Sequence, residues 1–104
     1  MTRERLANRR SHELIDFDHR GYRYTAGIGR FTDGRPAEIF LNVSGKVGAE
    51  IQTVARDAAI LASLCLQHGA TAETIRHAIT RNSDGSASGA IGALLDTLAQ
   101  EPRP

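Results

Sequence analysis

The single thiol of the sequence, Cys65, is where redox or nucleophilic chemistry would have to begin. A thiol reacts as its thiolate, which needs solvent access and a neighbouring cation. Cys65 sits between Leu64 and Leu66 in an apolar stretch, so it is expected to pack as a small hydrophobe inside the core. One cysteine also excludes an intramolecular disulfide and a Cys-x-x-Cys metal pair. The histidines His12, His19, His68 and His77 form neither His-x-x-x-His nor His-Glu-x-x-His, so no metal or other cofactor is expected. Asp16, Asp18, Glu38, Glu50 and Asp57 supply carboxylates. No nucleophile and base can be paired among them, and no catalytic residue is assigned.

The remaining polar residues suit binding. Gly45-Lys46-Val47-Gly48 precedes a helical stretch. It lacks the Gly-x-x-x-x-Gly-Lys-Ser/Thr spacing of a phosphate loop, yet Lys46 and Gly48 would stand at a helix N-terminus, which attracts anions. A second polar loop, Arg81 to Gly89, offers Arg81, Asn82, Asp84 and Ser88. Turn and cap roles account for most of such a loop; a ligand is the alternative use. Arg9 and Arg10 belong to a basic N-terminal segment and are assigned to partner binding, as a docking segment for an acidic protein surface, with nucleic-acid phosphates as the alternative. Arg56, beside Asp57 in an otherwise apolar helix, is expected to pair with Asp57, with Asp16 or with a partner's carboxylate.

These groups must be positioned by a short series of elements. Residues 1–12 read as a flexible basic arm, residues 13–100 as one domain and residues 101–104 as a fraying tail. From Glu13 to Asp18 apolar and polar residues alternate, as in a strand. A turn at Arg20-Gly21 or His19-Arg20 leads to a second strand with Tyr22, Tyr24, Ala26 and Ile28 on one face. Gly27 and Gly29 leave the other face bare, which permits a bulge or a close approach. Thr32-Asp33-Gly34-Arg35 is a hairpin turn. Pro36 opens a third strand that directs Ala37, Ile39, Leu41 and Val43 inward and Phe40 outward. From Ala49 to His68 the period becomes helical, with Ile51, Val54, Ala55, Ala58, Leu61, Ala62 and Cys65 as the buried stripe. Gly69 is its C-terminal glycine and Thr71 caps a shorter helix of about ten residues. Ser88 is expected to cap a last helix carrying Ile91, Leu94, Leu95 and Leu98. The fold class is α+β: an antiparallel meander of about three strands, covered on one face by a long helix and two shorter ones.

Thirteen Lys and Arg balance 12 Asp and Glu for a net charge of +1, which by itself points to no nucleic-acid partner. No apolar run approaches the roughly 20 residues of a membrane span. The basic start has no apolar stretch behind it as a secretory signal would, so the cytoplasm is the expected compartment. An apolar long helix and short sheet edges make a homodimer the expected assembly, with a monomer whose sheet edge is well covered as the alternative.

Several segments together resemble one family. They are Asn8-Arg9-Arg10-x-x-Glu13, Gly21-x-Arg23-Tyr24-Thr25, Gly29-Arg30-Phe31-x-Asp33-Gly34-Arg35 and Ala37-Glu38-Ile39-Phe40-Leu41. Ala55-Arg56-Asp57-Ala58-Ala59 and Leu66-Gln67-His68-Gly69 continue the run, and Arg81 to Gly89 followed by Gly92 completes it. Over residues 8–99 the chain resembles the small TSCPD domain, found at the C-terminus of adenosylcobalamin-dependent ribonucleotide reductases and as a free-standing protein. It does not contain the Thr-Ser-Cys-Pro-Asp motif or the cysteine-rich tail, so no metal role carries over. The reductase machinery lies in a separate barrel, so any ribonucleotide reductase label would record kinship. The resemblance implies a non-catalytic accessory or regulatory module that associates with a reductase, another protein or itself. The alternative is a nucleotide or nucleic-acid binding module using the Lys46 loop, the Arg81 loop and the basic arm.

Overall fold

The computed structural model describes residues 2–4 and 12–100. The arm residues 5–11, with Arg9 and Arg10, and the tail 101–104 lie outside them.

Strand β1 (His12–His19) and strand β2 (Tyr22–Arg30) form the first hairpin. Its turn needs two positive φ angles, which Arg20 at 52° and Gly21 at 82° supply. Strand β3 (Pro36–Val43) returns through the Asp-Gly turn, giving a three-stranded antiparallel sheet in the order β1-β2-β3. Asp33 holds that turn: it accepts from the Arg35 backbone N–H at 3.1 Å and from Arg35 Nε at 2.6 Å. These bonds, the backbone one foremost, keep its carboxyl below the usual range.

The register aligns Ile15, Ala26 and Leu41 on one face and Leu14, Gly27 and Phe40 on the other. The β2–β3 register shifts between Gly29 and Arg30, and the bare face at Gly29 is used for close approach. A Cβ there would stand 2.8 Å from the Cγ of Glu38. The Glu38 side chain lies over Gly29, and its Oε2 is 3.2 Å from His12 Nε2 on the far strand.

Helix α1 (Ala49–Gln67) runs along β3, and helix α3 (Ala90–Ala99) lies by β1, with the short helix α2 (Ala72–Ala78) between them in sequence. The end of α1 is set by Gly69 at φ 105°. The N–H of Ala70 reaches the Cys65 carbonyl at 2.9 Å and that of Gly69 the Leu66 carbonyl at 3.4 Å, a Schellman pair. Thr71 caps α2 by accepting from the Thr74 N–H at 3.0 Å. The N-cap of α3 is Gly89 with no side-chain bond. Ser88 does not cap; its N–H is directed to the Thr80 carbonyl at 3.2 Å, closing the preceding loop.

The core joins Tyr24, Ala26, Ile28, Ile39 and Leu41 from the sheet to Ala55, Ala59, Ala62 and Leu66 of α1 and to Leu94 and Leu95 of α3. Here the expected stripe is corrected. The inward side of α1 is its alanine side, and Cys65 is exposed. Small residues allow the helix to approach β3 closely enough for its own polar groups to reach the strand. Ser63 Oγ accepts from the Ile39 N–H at 2.8 Å and lies 3.1 Å from the Ile39 carbonyl. Gln67 Nε2, buried, donates to the Ala37 carbonyl at 3.0 Å. Strand β3 is an edge, and α1 thereby satisfies backbone groups that an open edge would offer to another chain. Arg3 and Glu4 of the expected arm also reach this end of α1: the Arg3 Nε donates to Gln67 Oε1 and the Glu4 N–H donates to the Gln67 carbonyl at 2.7 Å. Among the described residues no helix is long and apolar enough to cross a membrane.

Candidate binding surfaces

Two surfaces deserve comparison: a polar cleft at the Arg81 loop and the outer side of α1. The cleft, about 420 Å³, is lined by His19, Arg20, Asn82, Ser86, Ala87 and Asp96. Asp96 accepts from Arg81 through both oxygens, at 2.6 and 2.8 Å, and from Arg76 Nε at 2.8 Å. The Arg81 hydrogen bonds foremost, then those of Arg76, bring the Asp96 carboxyl down to about 2 against the opposing effect of burial. The Arg81 guanidinium is raised by the same pair and also donates to the Arg76 carbonyl at 3.0 Å. Its geometry is that of a bidentate clamp already holding a carboxylate.

The rest of the loop is equally engaged. The Asn82 N–H donates to the Ser86 carbonyl at 2.9 Å, and the Gly85 N–H, at φ 88°, donates to the Asn82 carbonyl at 2.9 Å. Asp84 Oδ1 accepts from the Ser86 N–H at 2.9 Å and from its hydroxyl, and those bonds hold the carboxyl low. Asn82 Nδ2 donates to Ser86 Oγ at 3.0 Å. His19 Nε2 lies 3.0 Å from the Ser88 carbonyl; since a carbonyl only accepts, that nitrogen carries the proton. Of the residues expected to bind an anion, Asn82 lines the cleft, while Arg81, Asp84 and Ser88 hold the loop together. Lys46 and Gly48 line neither this cleft nor the groove described next. Gly48 is the N-cap of α1 and has no side-chain bond.

The outer side of α1 is the opposite in character. Val54, Ile60, Leu61 and Leu64 are 62, 56, 63 and 38% exposed. Where Ile60 and Leu64 turn toward β3 they border a groove of about 400 Å³ shared with Phe40, Leu41 and Arg56. Phe40, half exposed, rests against the His12 ring at 5.3 Å and leans over Gly27 opposite the exposed Leu14. Apolar surface thus passes from the open sheet face, around the β3 edge, to the helix. Arg56 forms no ion pair with Asp57 or Asp16, which removes two of the three partners expected for it and leaves the carboxylate of a partner. Consecutive helical residues diverge by about 100°, and Asp16 on the far strand is held by Thr25 Oγ1 at 2.6 Å.

Sequence reasoning missed Asp96, Ser63 and Gln67. Asp96 lies in an amphipathic helix with no local partner, so only the folded chain pairs it. Ser63 and Gln67 carry a detectable signal: they are the polar residues beside the alanine face at i and i+4, where a close-packed helix meets a strand edge. Among the described residues no cluster of three or more His, Cys, Asp or Glu is placed to hold a metal ion.

The arrangement defines an α+β meander domain with a pronounced apolar surface. Comparison with family models, with curated proteins and with solved structures finds no match.

Proposed function

We propose that the chain is a non-catalytic accessory module that acts by protein association, with the outer side of α1 as its contact surface. The observation that carries this reading is the exposure of Val54, Ile60, Leu61 and Leu64 together on one helix. Leucines gathered into one patch mark an interaction site, whereas scattered ones are ordinary surface. Arg56 at the groove adds a cation with no ion-pair partner among the described residues, suited to the rim of an interface. A ribonucleotide reductase is the class of enzyme the module would accompany, on the resemblance of its segments to the TSCPD domain. The cytoplasm, where an exposed Cys65 stays reduced, is the compartment that fits.

The test is photo-crosslinking in cells that make the chain. A photoreactive side chain at position 61 should give covalent adducts of defined mass, and the same group at position 83 in the polar loop should give none. Absence of adducts from position 61 would remove the association reading. Failure to find a reductase among them would remove the enzyme assignment.

A further inference from the structure

Along α1 the exposed residues follow a seven-residue period. Val54 and Leu61, continued by the C-cap His68, form one row and Asp57 and Leu64 the alternate row, with Ile60 and Cys65 flanking. This is the spacing of one side of a two-helix coiled coil, in which each row packs between residues of the facing helix. The ends of the leucine pair carry opposite character. Asp57 stands one turn before Leu61 and His68 one turn after Leu64. Both are exposed, and neither has an ion pair or side-chain hydrogen bond within the described chain. They are eleven residues apart, about 16 Å along the axis, so they cannot meet each other on one helix.

An antiparallel copy of the same helix brings them together. We propose that α1 pairs antiparallel with α1 of a second copy of this chain, an inference that rests on the association reading above. In that pairing Leu61 packs on the partner's Leu64, and Asp57 receives an N–H from the partner's His68, in either charge state of the ring. The twofold axis repeats both contacts, as an isologous interface requires. A parallel pair would set Asp57 against its own counterpart and His68 against its own, so the charge pattern selects the antiparallel direction. Cys65 lies at the edge of the seam and becomes partly covered. The contact is smaller than a standard protein interface, so the dimer exchanges with monomer.

Sedimentation of the purified full chain over a dilution series tests this. The wild-type mass should rise with concentration toward twice that of the monomer. Leu61→Glu, on an exposed site and with an unchanged circular dichroism spectrum, should weaken self-association about tenfold or more. Asp57→Lys and His68→Glu should each weaken it about three- to tenfold, because the first removes the acceptor that faces His68 and the second sets two carboxylates together, each at both symmetric contacts. The double variant Asp57→Lys/His68→Glu should restore the wild-type constant to within about twofold. A chain that stays monomeric, or a dimer indifferent to Leu61→Glu, overturns the inference. Additive losses in the double variant overturn the antiparallel pairing. A monomeric chain whose position-61 crosslinks in cells go to a different protein would end the second-copy inference and leave the association reading standing; no adduct at all would end both.

Discussion

In the loop between α2 and α3, Arg81, Asn82, Asp84 and Ser86 bond one another, Asp96 or their own backbone. On α1 Val54, Ile60, Leu61 and Leu64 face water, while Ala55, Ala59 and Ala62, with Leu66 at the end, fill the inner side. The loop has the composition of a binding site, but its groups are committed to structure. The helix has the composition of a core element, and Val54, Ile60, Leu61 and Leu64 are left over on its outer side. The difference separates composition from availability: the polar groups of the loop are partnered within the fold, and the apolar groups on the outer side of α1 are not. A polar loop must satisfy its own backbone wherever it is half buried. An alanine-faced helix gains its close approach to a strand by directing its bulky residues elsewhere.

The sharpest way to break the comparison is to truncate one leucine on each side of α1. Leu66 is nearly fully buried among the core residues, and Leu66→Ala is expected to lower unfolding stability by about 2–5 kcal/mol. A denaturant titration read by circular dichroism measures it. A cost below about 1 kcal/mol would mean that the alanine side is not the packed side.

Ser63→Ala probes the close approach itself. It leaves the Ile39 N–H without its 2.8 Å acceptor at a part-buried site, and the expected loss is about 1–3 kcal/mol. Hydrogen exchange should quicken at Ile39 by the corresponding factor while the β1–β2 hairpin stays protected. Ser86→Ala, in the exposed loop, should cost less because water replaces the lost bond. Equal costs would erase the distinction between the tightly packed helix and the loop.

The loop's own stability is ionic, and its signature is in pH. Asp96 is held down to about 2 from an ordinary 3.8. A carboxyl lowered by folding contributes stability that is complete above its unfolded value. That contribution declines as pH falls through 3.8 and is gone below about 2. With the side chain a quarter exposed, solvent screening leaves the contribution at about 1 kcal/mol. The stability difference between wild type and Asp96→Asn should therefore be largest near pH 6 and shrink toward pH 2. A difference constant with pH would mean that the Arg81 and Arg76 contacts do not act through charge.

Much of this fold could be read in advance where the signal is local. Asp33-Gly34, Thr71 and Gly69 act within two to five residues, through φ angles and caps that their side chains dictate. The alternation of Ile15 and Phe17, and of Ile39 and Leu41, assigns sheet faces correctly because strand periodicity admits only two choices. A helix offers a continuum of orientations. On α1 the apolar residues cover most of the circumference, so the hydrophobic pattern could not select among them. The expected stripe therefore turned Val54, Leu61 and Cys65 inward, where close approach to β3 demanded alanine. Ser88 departs from its expected role for a related reason. A serine before a helix is a sound cap signal, but the bond from its N–H to Thr80 depends on the loop closing first. The Arg81–Asp96 pair spans 15 residues and leaves no trace in local spacing.

The smallest expected effect is the most informative about the outer side. Leu61→Ser removes a large apolar side chain from a position that is 63% exposed. It lies on a helix whose other side is unchanged, so little native packing is lost. Serine costs a few tenths of a kcal/mol in helix propensity, and the expected change in stability of the dilute chain is within about 0.5 kcal/mol. The same substitution at Leu66 would place a hydroxyl in the core and exceed Leu66→Ala in cost. Measured at low concentration, where mass action favours the monomer, a loss of more than about 1 kcal/mol at Leu61 would show that its side chain supports the monomer fold. Stability unchanged when dilute but reduced at high concentration would place the role of Leu61 outside the monomer, in the contact that α1 makes with another chain.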